Sequence, residues 1–179
     1  MSVLKGLKPE RVFYYFEEIC GIPHGSGNIS QISDYLVNFA KDKKLFYIQD
    51  ELKNVIIVKP ATPGYEEEPP VIIQGHMDMV AVKKPDCPID MKKEGLDLKI
   101  KGDYIYAEGT SLGGDDGIAV AYALAVLEAE DLSHPKLEIV ITVEEEVGMD
   151  GARGIDLSSL SGKRMLNLDT DDEGIFLTS

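Results

Sequence analysis

Apolar residues recur along the chain with two periods, and the switches between them divide it into elements. Val12, Phe13, Phe16 and Ile19 repeat at helical spacing, which predicts a helix from Pro9 to Cys20 that Gly21 and Pro23 stop. Beyond the turn residues Gly25-Ser26-Gly27-Asn28, the positions Ile32, Leu36, Val37 and Phe39 mark a second amphipathic helix, from Ile29 to Lys44. Two short runs, Phe46 to Gln49 and Val55 to Val58, flank Leu52-Lys53-Asn54 and suit a hairpin. After a Pro- and Glu-rich loop from Ala61 to Pro70, Val71-Ile72-Ile73-Gln74 is an apolar strand that leads to His76. Leu96 to Ile100 and Tyr104 to Ala107 read as a second hairpin. The stretch from Gly117 to Ala129 is apolar on every side, as in a helix buried against other elements. Leu137 to Val143 has the β-branched content of a central strand, and Arg164 to Leu168 and Gly174 to Thr178 predict two more. Strands alternating with helices predict an α/β sandwich with a mostly parallel sheet.

Composition narrows the function classes. The 179 residues suffice for one domain with a substantial core, and 44% hydrophobic with 28% charged residues is an ordinary globular profile. A net charge of −14 argues against nucleic acid as a partner, since basic residues gather only in pairs such as Lys83-Lys84 and Lys92-Lys93. No run approaches the roughly 18 apolar residues of a membrane span. Leu4, Lys5, Lys8 and Glu10 break up any leader-like apolar core at the start. The two cysteines lie outside metal-type spacing: Cys20 falls in a helical stretch and reads as a buried free thiol, Cys87 in a loop. A reduced, cytoplasmic setting is expected.

The chemistry concentrates in four segments: Gly75-His76-Met77-Asp78, Gly113-Gly114-Asp115-Asp116-Gly117, Glu144-Glu145-Glu146-Val147-Gly148 and Asn167-Leu168-Asp169. Each follows an apolar run, and ligands of open α/β sheets gather at the carboxyl ends of strands. That rule nominates His76, Glu144 to Glu146 and Asp169. His76 and Asp78 are two apart and share a face of an extended segment, which lets a carboxylate orient a ligating imidazole. A turn histidine beside a solvated aspartate is the plainer reading. The glycine-rich segment before the apolar helix lacks the endings of phosphate and dinucleotide loops, and two carboxylates there would repel phosphate. Helix capping accounts for one of those aspartates. The three glutamates are either a solvated charge run or a group aimed into a cleft. Asp169 to Gly174 mimics the start of an EF-hand loop, but its flanks read as strands and its twelfth position would be residue 180. His24 and His134 read as loop histidines.

Together these segments resemble the dinuclear zinc exopeptidases of the M20-type metallopeptidase family, in the branch that includes aminoacyl-histidine (Xaa-His) dipeptidases, also called peptidase D. The resemblance runs from about Pro9 to the last residue. It rests on Gly75-His76-Met77-Asp78-Met79-Val80, Gly109 to Gly117, Glu145-Glu146-Val147-Gly148-Met149-Asp150-Gly151-Ala152 and Asn167-Leu168-Asp169. It implies a three-layer α/β/α sandwich with a mostly parallel mixed sheet, apparently truncated. It further implies two zinc ions, with cobalt or manganese as substitutes. His76 and Asp169 would be terminal ligands of the first ion, Asp115 the bridging ligand with a cis peptide bond after it, and Glu146 a ligand of the second. Asp78 would hold the imidazole, and Glu145 would be the general base. The activity implied is hydrolysis of Xaa-His-type dipeptides, with a small peptide as substrate and a homodimer as a possible assembly. A related aminopeptidase, tripeptidase or N-acyl amino acid deacylase would use the same core, and a non-catalytic metal-binding domain is the rival class.

The chain departs from the family in two respects. Members complete the second zinc with a downstream histidine, and no histidine follows His134. They also carry a lid or dimerisation domain that begins about where this chain stops. By that comparison residues 1–179 are the N-terminal part of the catalytic domain, and the chain alone is expected to be inactive.

Overall fold

The alternation of periods resolves into a five-stranded mixed sheet carrying helices, with a small hairpin beside it. A computed structural model describes residues 2–170, 174 and 177–178. Its elements are α1 (Glu10–Cys20), α2 (Ser30–Asp42), β1 (Phe46–Gln49), β2 (Val55–Lys59), β3 (Val71–His76), β4 (Leu98–Lys101), β5 (Tyr104–Ala107), α3 (Gly114–Glu128), β6 (Leu137–Thr142), α4 (Asp150–Gly154) and β7 (Arg164–Asn167). The sheet order is β1-β2-β6-β3-β7, and β4 pairs with β5 alone. β2 runs antiparallel to β1 and β6, while β3 runs parallel to both β6 and β7. The carboxyl ends of β3, β6 and β7 therefore meet at one edge. None of the described helices is long and apolar enough to cross a membrane.

One face of the sheet makes the main core. Val55 and Ile57 of β2 and Leu137, Ile139 and Ile141 of β6 pack with Phe16 and Ile19 of α1, Ile32 and Leu36 of α2, and Val120 and Leu124 of α3. Each such side chain, when fully buried, contributes about 1.5–3 kcal/mol of transfer free energy. α3 packs on α1 and on β3, so its apolar character serves two partners, although Tyr122 stays 43% exposed. On the other face, Ile56 and Val140 are buried beneath a thinner layer, α4 and residues 155–163. α4 has five residues, too few for a helical repeat to show in the sequence. β7 is the edge strand and its four residues are all exposed. The strand expected over Gly174–Thr178 lies largely outside the described residues, as do Asp171, Asp172 and Glu173 of the EF-hand-like segment.

Glu138, in the middle of the sheet, is fully buried. Its carboxylate accepts hydrogen bonds from Lys136 Nζ (2.6 Å), Ser161 N (3.0 Å), Ser161 Oγ (2.8 Å) and Gly162 N (2.9 Å). Burial pushes its pKa up, but those donors outweigh burial and hold it down to about 2. A depressed carboxyl contributes stability that is complete above its unfolded pKa and is lost as pH falls through the folded value. Wild-type protein should accordingly lose on the order of 2–3 kcal/mol more than Glu138→Gln on acidification from pH 5 to pH 2, as read by urea melts at each pH.

Candidate metal centre

The site grows from the ends of three parallel strands and the start of one helix. His76 is the last residue of β3 and is 1% exposed. Its Nδ1 lies 2.9 Å from the backbone oxygen of Asp78 and 3.4 Å from Asp78 Oδ1. With the Nδ1 proton donated there, Nε2 is the ring nitrogen left to face the strand edge. Around Nε2 stand Asp115 Oδ1 at 3.2 Å, Glu145 Oε2 at 3.9 Å and Asp169 Oδ2 at 4.0 Å. His76, Asp115 and Asp169 offer ligand atoms all within 4.8 Å of one another, and so do His76, Glu145 and Glu146. Among the described residues, no such group contains both Asp115 and Glu146, the pair expected at the second ion.

Asp78 is also fully buried, and it ties the site to two neighbouring segments. Its Oδ1 accepts from the Glu145 backbone N–H at 3.0 Å, and its Oδ2 accepts from Ser26 Oγ at 2.8 Å. Burial works against its ionisation, yet the hydrogen bond to His76, those from Ser26 and the Glu145 backbone, and the His76 charge keep its pKa low. Thus Asp78 fixes the imidazole chiefly through its carbonyl, while its carboxylate fixes the start of the glutamate run. Glu144 takes a left-handed backbone (φ 55°) and its carboxylate accepts from Gly27 N at 2.9 and 3.0 Å. The first of the three glutamates therefore anchors the Gly25–Asn28 turn rather than a ligand.

The glycine-rich segment has the cis bond after Asp115 that the resemblance implied, and a backbone that periodicity does not announce. Asp115 and Asp116 have non-helical backbone angles inside α3, and the peptide bond between them is cis. Neither side chain caps the helix. Asp116 instead turns inward, 2% exposed, and its Oδ2 accepts from the backbone N–H of His76 at 3.0 Å. A Cβ on Gly75 would lie 2.5 Å from that oxygen, so glycine at 75 is what lets the aspartate approach β3. Spacing alone could have flagged only that two adjacent aspartates must point apart. His24, read from sequence as an ordinary loop residue, is 3% exposed, with Nδ1 at 2.6 Å from the Ile22 oxygen. His134 is likewise in a loop but buried.

Electrostatics describe a site crowded with anions. Burial pushes the Asp116 pKa up to about 7, and the charges of Asp169 and Asp115 push the same way against the His76 contacts that lower it. Burial and the Asp115 carboxylate raise Glu146. Burial opposes protonation of His76, but the hydrogen bond to Asp78 and the charges of Asp116 and Asp78 outweigh it and raise the pKa to about 9. An imidazole nitrogen plus several carboxylate oxygens within a few ångströms is a donor set suited to a divalent cation of the zinc type, whose charge would relieve this repulsion. The residues present fit such an ion, and its binding would displace the His76 proton.

Comparison with known proteins gives the same direction. Residues 72–164 match the sequence profile of the family described as peptidase family M20/M25/M40. The chain is 41% identical over 174 residues to a cytosol non-specific dipeptidase of Escherichia coli K12, covering 97% of this chain and 36% of that protein. The crystal structure of an aminoacylhistidine dipeptidase from Vibrio alginolyticus superposes with a TM-score of 0.93 at 38% identity, over 97% of this chain and 35% of the other. A tripeptidase from Staphylococcus aureus superposes with a TM-score of 0.76 at 26% identity, over 93% of this chain and 44% of the other. The chain thus spans little more than a third of the length of the two dipeptidases.

Proposed function

Because the chain belongs to peptidase family M20/M25/M40, we propose that it is the N-terminal part of the catalytic domain of a zinc-dependent dipeptidase. The C-terminal half of that domain and a lid or dimerisation domain would lie outside these residues. The observation that carries this reading is His76 Nε2 facing Asp115, Glu145 and Asp169 within 4.0 Å. His76, Asp115 and Asp169 would hold one zinc ion, and Asp115 with Glu146 would be this chain's share of a second. Cobalt or manganese would substitute on the same donors. Divalent cations bound there would polarise the scissile carbonyl and acidify an attacking water.

The chain's own groups supply the rest. Asp78 keeps the imidazole in the tautomer with its proton on Nδ1. Through the Glu145 N–H it also sets the direction in which the Glu145 side chain leaves the turn after β6. That carboxylate is 27% exposed, open enough to receive substrate yet shielded on one side. It takes a proton from the attacking water and returns it to the leaving amine nitrogen. Two of the similar proteins bear dipeptidase names, which supports dipeptides of the Xaa-His and broader kind as substrates. The likeness to a tripeptidase and to an aminopeptidase from Bacillus cereus, each at 26% identity, favours the related tripeptidase or aminopeptidase as a second reading.

A chelation experiment on the full-length protein tests the proposal. Removing metal should abolish dipeptide hydrolysis, zinc should restore it fully, and cobalt or manganese should restore it in part. Rates on Xaa-His and other dipeptides should exceed those on tripeptides and N-acyl amino acids. Hydrolysis indifferent to chelation would end the metallopeptidase reading, and tight zinc binding without turnover on any substrate would make this a non-catalytic metal-binding domain.

A further inference from the structure

Asp169 reaches the centre from β7, which within the described residues is tied down at few points. It is the edge strand, pairs with β3 over only four residues (Arg164 to Asn167), and exposes Met165 at 60% and Leu166 at 56%. Within the described residues, packing of its side chains contributes little to its placement. Among these residues, the contacts that place it are the ladder to β3 and those that hold its two ends. At the carboxyl end, Asn167 Nδ2 donates to Gln74 Oε1, and the Leu168 N–H points to the Gln74 carbonyl at a long 3.4 Å. At the amino end, the Glu138 carboxylate takes the consecutive N–H groups of Ser161 and Gly162.

That second attachment is closely fitted. Glu138 is opposite Ile72 in the β3–β6 ladder, directly beside the point where β7 begins to pair. A Cβ on Gly162 would lie 2.9 Å from Ile72 Cγ1 and 3.1 Å from Glu138 Oε2, so a bare backbone is needed for its N–H to reach the carboxylate. Lys136 Nζ bonds both Glu138 Oε1 and Ser161 Oγ, which closes the cluster. A one-residue slip of β7 would turn its side chains to the opposite face and carry the following residues away from His76.

We propose that Glu138 is a positioning residue, an anionic latch on the Ser161-Gly162 backbone that fixes the register of β7 on β3 and thereby brings Asp169 to the metal centre. It acts through the seven residue steps from Gly162 to Asp169, roughly 23 Å of extended chain, and touches neither substrate nor metal. The inference rests on Asp169 being a ligand, as in the proposed function.

The test is a double-mutant cycle on the full-length protein, using Glu138→Gln, Asp169→Asn and the pair, with zinc affinity measured by calorimetric titration at pH 7. Amide hydrogen exchange over residues 160–169 is followed in the same metal-free samples. Glu138→Gln should weaken zinc binding about tenfold, the scale on which supporting hydrogen bonds act on metal sites. It should also speed exchange in β7, and cost nothing further once Asp169 is already Asn. Ser161→Ala, which removes one donor and keeps the carboxylate, should show the same pattern more weakly and serves if the glutamine variant does not fold. Faster exchange with unchanged zinc affinity, or a tenfold loss that adds fully to that of Asp169→Asn, would overturn the latch while leaving the metallopeptidase reading intact. An Asp169→Asn variant that binds zinc as tightly as wild type would overturn the latch together with Asp169's assignment as a ligand.

Discussion

Glu145→Gln in the full-length protein should lower kcat by about 10²–10⁴-fold, the range general acid–base catalysis contributes. The substitution is nearly isosteric and keeps the backbone N–H that Asp78 Oδ1 accepts at 3.0 Å, so the fold around it should persist. What it removes is a group able to take and return a proton. If Glu145 has that role alone, zinc affinity and KM should change by less than a few fold while kcat collapses, a split that steady-state kinetics with calorimetric titration would show. Glu145 Oε2 also lies 3.9 Å from His76 Nε2, in a group with Glu146 that could hold a cation. Were Glu145 a ligand instead, zinc affinity would fall along with kcat, and the general-base assignment would have to be withdrawn.

His76→Ala should cost more than 100-fold in zinc affinity. Loss of a mere hydrogen-bonding partner behind a ligand costs 10–100-fold, and here the ligand itself is removed. Among the described residues His76 is the one nitrogen donor in both clusters, so every remaining donor is an anionic oxygen. The truncation also empties a buried position and leaves the Asp78 carbonyl without its partner, which should destabilise the metal-free protein by about 1–3 kcal/mol. Calorimetry with zinc and thermal unfolding without it separate the two effects. A variant that binds zinc as tightly as wild type would show that the cation, if there is one, sits elsewhere.

Much of the architecture was legible because local signals were strong. Both hairpins carry turn residues between short apolar or alternating runs, and both form, with Lys53 taking the positive φ (78°) of the first turn. α1 and α2 have one apolar stripe each and end within two residues of where periodicity placed them. The α/β class followed from the order of elements and is what the structure has. The start of α3 was not legible: the expected Gly117 start is preceded by two residues whose backbone is set by contact with β3. Capping by Asp115 or Asp116 was a fair expectation, but the Gly75 backbone leaves a space that draws Asp116 inward. Glu138 was invisible because its partners, Ser161 and Gly162, are 23 and 24 residues away, and a glutamate in a β-branched run reads as a solvated position. The four segments of the centre stood out through residue type and spacing, whereas the choice of Asp78's carbonyl over its carboxylate as the nearer partner of His76 needed coordinates.

The shared direction of β3, β6 and β7 separates the molecule into two ends with different tolerance for change. Every candidate ligand sits where these strands finish, so the connections that enter them lie some five residues upstream, at the opposite rim. Most of the turn at 64–69, with Glu66, Glu67 and Glu68 in solvent, belongs to that rim and touches no group of the centre. Insertions, fusion points or affinity tags placed there should be accommodated as surface loops usually are, which makes it the natural place to attach a probe without disturbing the chemistry.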